Sequence, residues 1–203
     1  MAKKYIERYL SEVAKISKSV DKIVIQRVIN RIIKLKKENG RIFFVGVGGS
    51  ASNCSHAVND FRKIAQIEAY TPLDNVAELT ARTNDEGWET VFSSWLERSK
   101  LNKKDILFVL SVGGGSIENK VSVNIIKAID FAIKTKSDIV GIVGRDGGYV
   151  RKKSNMCIII PTISKDTITP LAESWQAVIW HLIVSDPKIL EYSNKWESID
   201  EKK

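Results

Sequence analysis

Histidine is scarce in this chain: His56 and His181 are the only two in 203 residues. Cysteine is equally sparse. Cys54 and Cys157 lie far apart with no C-x-x-C spacing, which excludes the disulfide framework of a small secreted domain and predicts two free thiols. No apolar run approaches the roughly 20 residues needed to cross a bilayer. Nothing at Met1-Ala2-Lys3-Lys4 reads as a secretory signal, so the cytoplasm is the expected compartment, with no membrane partner. Tandem repeats, low-complexity linkers and a DNA-binding helix-turn-helix segment are all missing. Net charge is +8 with a pI near 9.4, yet lysines such as Lys34, Lys103 and Lys152 are scattered among acids. No basic stripe interleaved with aromatics emerges. The pattern predicts a solvated basic surface that draws in an anionic metabolite, and no nucleic-acid partner.

What the chain has is enough apolar sequence, 43%, for one substantial domain. Residues 5–17 and 23–35 carry amphipathic helical spacing, and Gly40 stops the second helix. Strand patterns follow over 41–45, 67–71, 106–110, 139–143 and 156–160. They alternate with helical patterns over 50–67, over 87–99, up to 132 and over 170–184, with a glycine turn over 144–148. Such alternation predicts an α/β fold, a doubly wound five-stranded parallel sheet flanked by helices. Residues 1–40 form an N-terminal helical extension expected to pack on the domain and on other subunits, 41–190 the domain itself. The tail over 191–203, with Trp196, reads as a loose extension or a subunit contact.

Two glycine-rich loops, Gly46-Val47-Gly48-Gly49-Ser50 and Ser111-Val112-Gly113-Gly114-Gly115-Ser116, each follow an apolar strand and are expected to lead into a helix. Bare backbone N–H groups at a helix start, helped by the helix dipole and by serine hydroxyls, make a cradle for a phosphate. The plainer alternative is that the glycines only close tight turns. Gly46, Gly48 and Ala51 also satisfy a dinucleotide pattern with Glu68 downstream, but that reading leaves the second loop and both histidines without a role. No nucleotide cofactor is expected.

On the helix after the first loop, His56 and Asp60 are four residues apart and so share a face. They can hold a divalent metal, exchange a proton, or simply pair as surface ions. On the last helix Glu173 and His181 are eight residues apart, a rise of roughly 12 Å. One site in one subunit can scarcely use both, so if both are functional the sites fall at a subunit interface. Glu173 alone also reads as a first-turn carboxylate favoured by the helix dipole.

Taken together, these loops, the Asn84-Asp85 step before Gly87 and Phe92, and Gly144-Arg145-Asp146-Gly147-Gly148 resemble a sugar isomerase (SIS) domain of the phosphoheptose isomerase type over residues 5–190. The resemblance implies an aldose-ketose isomerase, acting on sedoheptulose 7-phosphate through an enediol for surface-carbohydrate or nucleotide-heptose synthesis. It implies Ser50, Ser111 and Ser116 as phosphate ligands beside Gly48, Gly49 and Gly113, and Asp85 as an active-site aspartate. His56, Asp60, Glu173 and His181 fall where the family can bind zinc or another divalent metal, and a homotetramer is implied. Asp60 stands where the family has glutamate, and Glu173 where it has glutamine. The shorter carboxylate suggests that Glu173 compensates, as proton-transferring base or as a second metal carboxylate. Asp60 or Glu173 is thus the expected base and His181 the acid. Val47, Val112, Gly113, Gly115 and the run Ser174-Trp175-Gln176 also depart from the family, which points to a related phosphosugar or product. A non-catalytic phosphosugar-binding regulatory module is the alternative, because fold alone does not decide function.

Overall fold

The first two helices are separated by Asp21, whose carboxylate accepts from the N–H groups of Ile23 and Val24. It caps α2 (Lys22–Lys37), which follows α1 (Ala2–Ser19). The computed structural model describes residues 2–190; the tail expected over 191–203, Trp196 included, lies outside the described residues. After α2 come β1 (Ile42–Val45), α3 (Gly49–Lys63), β2 (Ala69–Tyr70), α4 (Val76–Glu86) and α5 (Val91–Arg98). Then follow β3 (Ile106–Ser111), α6 (Val123–Thr135), β4 (Asp138–Val143), α7 (Gly148–Lys153) and β5 (Met156–Ile159). A 3-10 turn at Lys165–Thr167 leads into α8 (Ile168–Val184).

All strand pairs are parallel and the order is β2-β1-β3-β4-β5. The strand order reverses between β1 and β3, and ligands of open α/β sheets bind outside the carboxyl ends at such a point. Period-two alternation sorts the core into two layers. Ile42, Phe44, Phe108, Leu110, Val140 and Ile142 meet residues of α2, α3 and α8 on one face. Phe43, Val45, Leu107, Val109 and Val143 meet α5, α6 and α7 on the other. The N-terminal helices belong to the first layer, with Ile16, Val28 and Ile32 fully buried in it.

Several elements differ from the sequence expectation. The helix expected over 50–67 begins at Gly49 and ends at Lys63, because Gln66 turns left-handed (φ 53°) ahead of a strand reduced to Ala69–Tyr70. The helix expected from 87 is two: Gly87, at φ 86°, ends the unforeseen α4, and α5 starts at Val91. The second glycine loop does not lead directly into a helix. Ser116 and Val121 close an antiparallel bridge, and α6 starts only at Val123. The expected turn over 144–148 runs straight into α7. Its backbone packs so closely on the loop that a Cβ on Gly114 would overlap the Gly147 carbonyl, and the Tyr149 and Val150 N–H groups donate to Gly115 and Gly114.

The amino ends of the strands are tied by buried polar groups. Asp105, 1% exposed, accepts from the backbone N–H and guanidinium of Arg41 and from Asn102, joining the starts of β1 and β3. The carboxylate in turn holds the Arg41 guanidinium pKa above its ordinary value, against the opposing effect of burial. Arg31 on α2 pairs with Asp138 at the start of β4. Changing Asp105→Ala removes the carboxylate from the Arg41 guanidinium and leaves the backbone N–H groups of Arg41 and Asn102 unpaired, and is expected to cost about 3 kcal/mol or more in urea unfolding. On the other face, burial and the hydrogen bond of Tyr149 to Asp130 (2.6 Å) push the phenol up to about 12. An unfolded tyrosine ionises near about 10. Between those values the unfolded chain loses a proton that the folded chain keeps, so the stabilisation is full below the lower value and fades as pH climbs to the upper. Urea midpoints should therefore show an alkaline decline in this window that is smaller in Tyr149→Phe.

Candidate active site

Helix α3 leaves the sheet at the carboxyl end of β1 and lies against α8. Gly49, Asn53, His56 and Asp60 follow one another at helical spacing along the face that meets α8. Each has a partner there. Asp60 is 5% exposed, and its two oxygens have different neighbours: Oδ1 accepts from Asn59 Nδ2 at 2.8 Å, while Oδ2 faces His181 Nε2 at 3.6 Å and His56 Nε2 at 3.9 Å. These separations exceed a hydrogen bond. The imidazoles stand edge to face, 5.3 Å between centroids, and both rest on the fully buried Trp180.

The Nδ1 of His181 lies 2.8 Å from the carbonyl of Ala177. A carbonyl only accepts, so Nδ1 carries a proton and Nε2 is the nitrogen turned toward Asp60. One ligand atom each from His56, Asp60 and His181 lies within 4.8 Å of the others. Two neutral imidazoles and a carboxylate at this separation fit a divalent ion after a small contraction, and three protein ligands leave one position open for a substrate oxygen. The imidazole rims are open, with the His56 side chain 58% and the His181 side chain 40% exposed.

Glu173 is not in that group. Its carboxylate lies over Gly49, where a Cβ would stand 2.5 to 2.7 Å from its oxygens and carboxyl carbon. The adjacent Ala172 touches the point where Gly144 approaches the Val112 carbonyl, so this turn of α8 sits between the two glycine loops. The expected Glu173 ligation therefore has no counterpart within one chain, for the reason the eight-residue spacing gives.

The expected phosphate ligands are spread over the carboxyl edge. Ser50 is buried in the first turn of α3 with no partner for its hydroxyl. Ser111 Oγ accepts from Gly114 N–H and Ser116 Oγ from Asn119, which leaves each hydroxyl proton uncommitted. Gly113 and Ser116 line a cleft of about 480 Å³ together with Arg145 and Lys152, which have no ionic partner among the described residues, and with the acidic Glu118 and Asp146. Gly48, at φ 65°, is the capping residue just before α3. Asp85 is exposed near the end of α4, where it accepts from Asn84. Both thiols are free: burial pushes the pKa of Cys54 up, with Asp74 adding to it, and burial raises that of Cys157.

Sequence reading passed over Asn53. Its amide crosses from α3 to α8 and donates to the Glu173 carbonyl and to Gln176 Oε1, both at 3.0 Å. Only the helix register brings these residues together, although Asn53 does continue the face defined by His56 and Asp60.

Comparison with known proteins agrees with the geometry. A phosphoheptose isomerase of Helicobacter pylori (strain Shi470) is 31% identical over 160 residues, 76% of this chain and 78% of that protein. One from strain P12 is 27% identical over 184 residues, 87% of this chain and 90% of that protein. The solved phosphoheptose isomerase from Neisseria gonorrhoeae shares the fold, with a TM-score of 0.78 over 91% of this chain and 98% of its own at 20% identity. The SIS domain profile matches residues 4–144, and with this match, the parallel sheet and its glycine loops, the chain belongs to the SIS domain family.

Proposed function

We propose that the protein is a phosphosugar aldose-ketose isomerase that interconverts sedoheptulose 7-phosphate and an aldoheptose 7-phosphate, for surface-carbohydrate or nucleotide-heptose synthesis in the cytoplasm. The observation that carries this reading is the convergence of Asp60 Oδ2 with the Nε2 atoms of His56 and His181 on α8 and on the helix that follows the first glycine loop, α3. The relatives named phosphoheptose isomerase support it.

In this reading Ser50, Ser111, Ser116 and the Gly113 backbone take the phosphate, with Arg145 and Lys152 adding positive charge at the cleft. Asp60 Oδ2 removes the proton from the carbon beside the carbonyl, and His181, protonated at Nε2, donates to the carbonyl oxygen. The resulting enediol is neutral. Returning a proton to the neighbouring carbon, with loss of the other hydroxyl proton, completes the isomerisation. Asn59 holds the opposite carboxylate oxygen and so keeps Oδ2 turned toward the imidazoles. A divalent cation such as zinc would be held by His56, Asp60 and His181, and when bound it supplies as a Lewis acid the polarisation of the sugar oxygen that a protonated His181 otherwise supplies. Asp85 is assigned to substrate binding. A homo-oligomer, a tetramer by family likeness, would cover Val178 and Leu182 beside His181 and Tyr5, Ile6 and Leu10 on α1, all exposed in the single chain.

Incubation with sedoheptulose 7-phosphate in heavy water, followed by NMR, should place solvent deuterium on the carbon next to the carbonyl. An unchanged sugar that nevertheless binds would make the protein a phosphosugar-binding module instead. Asp60→Asn should lower kcat at least about a hundredfold, the worth of a positioned base. Zinc titration of chelator-treated protein should fill one site per chain, and Asp60→Ala should weaken it by more than about tenfold.

A further inference from the structure

In a parallel α/β sheet each crossover returns the chain to the amino end of a strand, so the turns that precede the strands share one edge. Here the starts of β1, β3 and β4 are in register, with Ile42 beside Ile106 and Ile106 beside Asp138. Neighbouring strands stand about 4.8 Å apart, so the three turns fall within about 10 Å of one another. They carry Lys37 at the end of α2, Lys100, Lys103 and Lys104 before β3, and Lys134 and Lys136 before β4. All six are exposed, and none has an ionic partner among the described residues. Along the sequence these lysines lie among acids, a pattern that predicts no membrane partner; folding separates the two signs. Asp105 is buried against Arg41, Asp138 pairs with Arg31, and Glu38 faces Arg31 and Lys34. Of the acids on these turns, only Glu97 is exposed without an ionic partner among the described residues.

Two of the lysines hold positions that suit glycine. Lys100 and Lys136 turn left-handed, at φ 55° and 59°, just past the ends of α5 and α6, where a residue without a side chain turns free of strain. Lysines in a last helical turn also answer the helix dipole, which accounts for Lys37 and Lys134. It does not account for Lys103 and Lys104, which lie beyond α5 in the turn to β3. The edge thus keeps cations where local structure does not ask for them.

Charges this close act together, because the spacing of the turns is comparable with the screening length of about 8 Å at physiological salt. The chemistry of the edge selects among polyanions. Its arginines, Arg31 and Arg41, are committed to carboxylates, so neither fork is free for a base edge. No aromatic residue on these turns offers a stacking surface for a base. Lysine is depleted at protein–protein interfaces. Flexible point charges in a row match a fluid layer of anionic headgroups, which gains about fivefold in affinity for each lysine that reaches it. We infer that the amino edge of the sheet is an electrostatic docking surface for an anionic lipid membrane. Both glycine loops lie at the carboxyl ends of the same strands, so docking leaves them facing away from the lipid. Lys100 to Lys136 flank α5 and α6, in the layer opposite α1 and α8, whose exposed apolar residues a homo-oligomer would cover. The inference does not depend on the isomerase reading.

The test is flotation of the full chain with vesicles of phosphatidylglycerol and phosphatidylcholine in equal parts, and with vesicles of phosphatidylcholine alone. Wild type should float with the first and not with the second. Salt at about 1 M, where the screening length falls to about 3 Å, should release it. Lys103→Gln, Lys104→Gln and Lys136→Gln combined in one protein should weaken binding about a hundredfold, at about fivefold for each lysine. The control Lys15→Gln, Lys18→Gln, Lys22→Gln removes the same charge at the junction of α1 and α2, about 24 Å from the edge along α2, and should lose far less. The double variant Lys100→Gly, Lys136→Gly relieves both left-handed turns and so keeps the fold, yet it should bind more than about tenfold more weakly. Failure of wild type to bind the mixed vesicles would overturn the inference, as would equal losses in the triple variant and its control, or a double variant that binds as wild type. Tighter binding to duplex DNA than to the vesicles at one salt concentration, with the same dependence on Lys103, Lys104 and Lys136, would also overturn it and make nucleic acid the partner.

Discussion

The register of α3 against α8 is the constraint on which the site depends. Four residues of α3 meet α8 in order: Gly49 under the Glu173 carboxylate, Asn53 on the Glu173 carbonyl and Gln176, His56 on Trp180, and Asp60 opposite His181. Sliding either helix by one turn would pair His181 with the wrong position and leave Asp60 buried without an imidazole. Two kinds of interaction resist this. Trp180 is completely buried and stacks on His181 at 3.6 Å, and loss of such a side chain costs about 3–5 kcal/mol. The Asn53 amide adds direction, since its two hydrogen bonds are satisfied in one register only.

The sheet supplies the other half of the arrangement. Reversal of strand order between β1 and β3 opens a crevice above their carboxyl ends, and each of these strands ends in a glycine loop. The loops use glycine differently. In the first, the missing side chain at Gly49 leaves space for a carboxylate from α8. In the second, Gly114 allows the backbone of the turn before α7 to approach until N–H and carbonyl groups pair across it. Both glycine roles are steric, and the phosphate function assigned to this edge falls on hydroxyls and N–H groups that the packing leaves uncommitted.

These differences mark how far the sequence could be read. Ile106 to Leu110 is an unbroken apolar run between polar ends, so β3 was legible, as were the other four strands and the parallel order that their alternation with helices implies. Helix α4 was not: none of its residues is buried, and hydrophobic periodicity has nothing to report there. Its only local sign is Asn75 with Glu78 three residues on, the side chain of the first accepting from the N–H of the second. The pairing of His56 with Asp60 was an expectation from their spacing and the grouping of His181 with them one from the family resemblance, but the separation of Glu173 from them within the chain, and the bonds of Asn53 beside it, arise from the way two helices remote in sequence are aligned. No window of the chain contains that alignment.

Buried polar atoms without a hydrogen-bond partner occur in several places, Arg31 Nη1 on α2 and Asn124 Nδ2 on α6 among them, but they gather at one helix pair. At the amino ends of the strands Asp105, Arg41 and Asn102 use nearly every donor and acceptor they carry. Along α3 and α8, by contrast, Ser50 Oγ, Gln176 Nε2 and Trp180 Nε1 are buried with no partner. Each such group costs about 1–3 kcal/mol, against a total stability of about 5–15 kcal/mol for a domain. A fold with three of them at one helix pair therefore needs firm closure elsewhere, and the buried ties at the opposite end of the sheet provide it. Repacking Gln176 as an apolar residue would relieve one orphan and release Asn53 at the same time. Stability and the placement of Glu173 thus oppose each other at a single side chain.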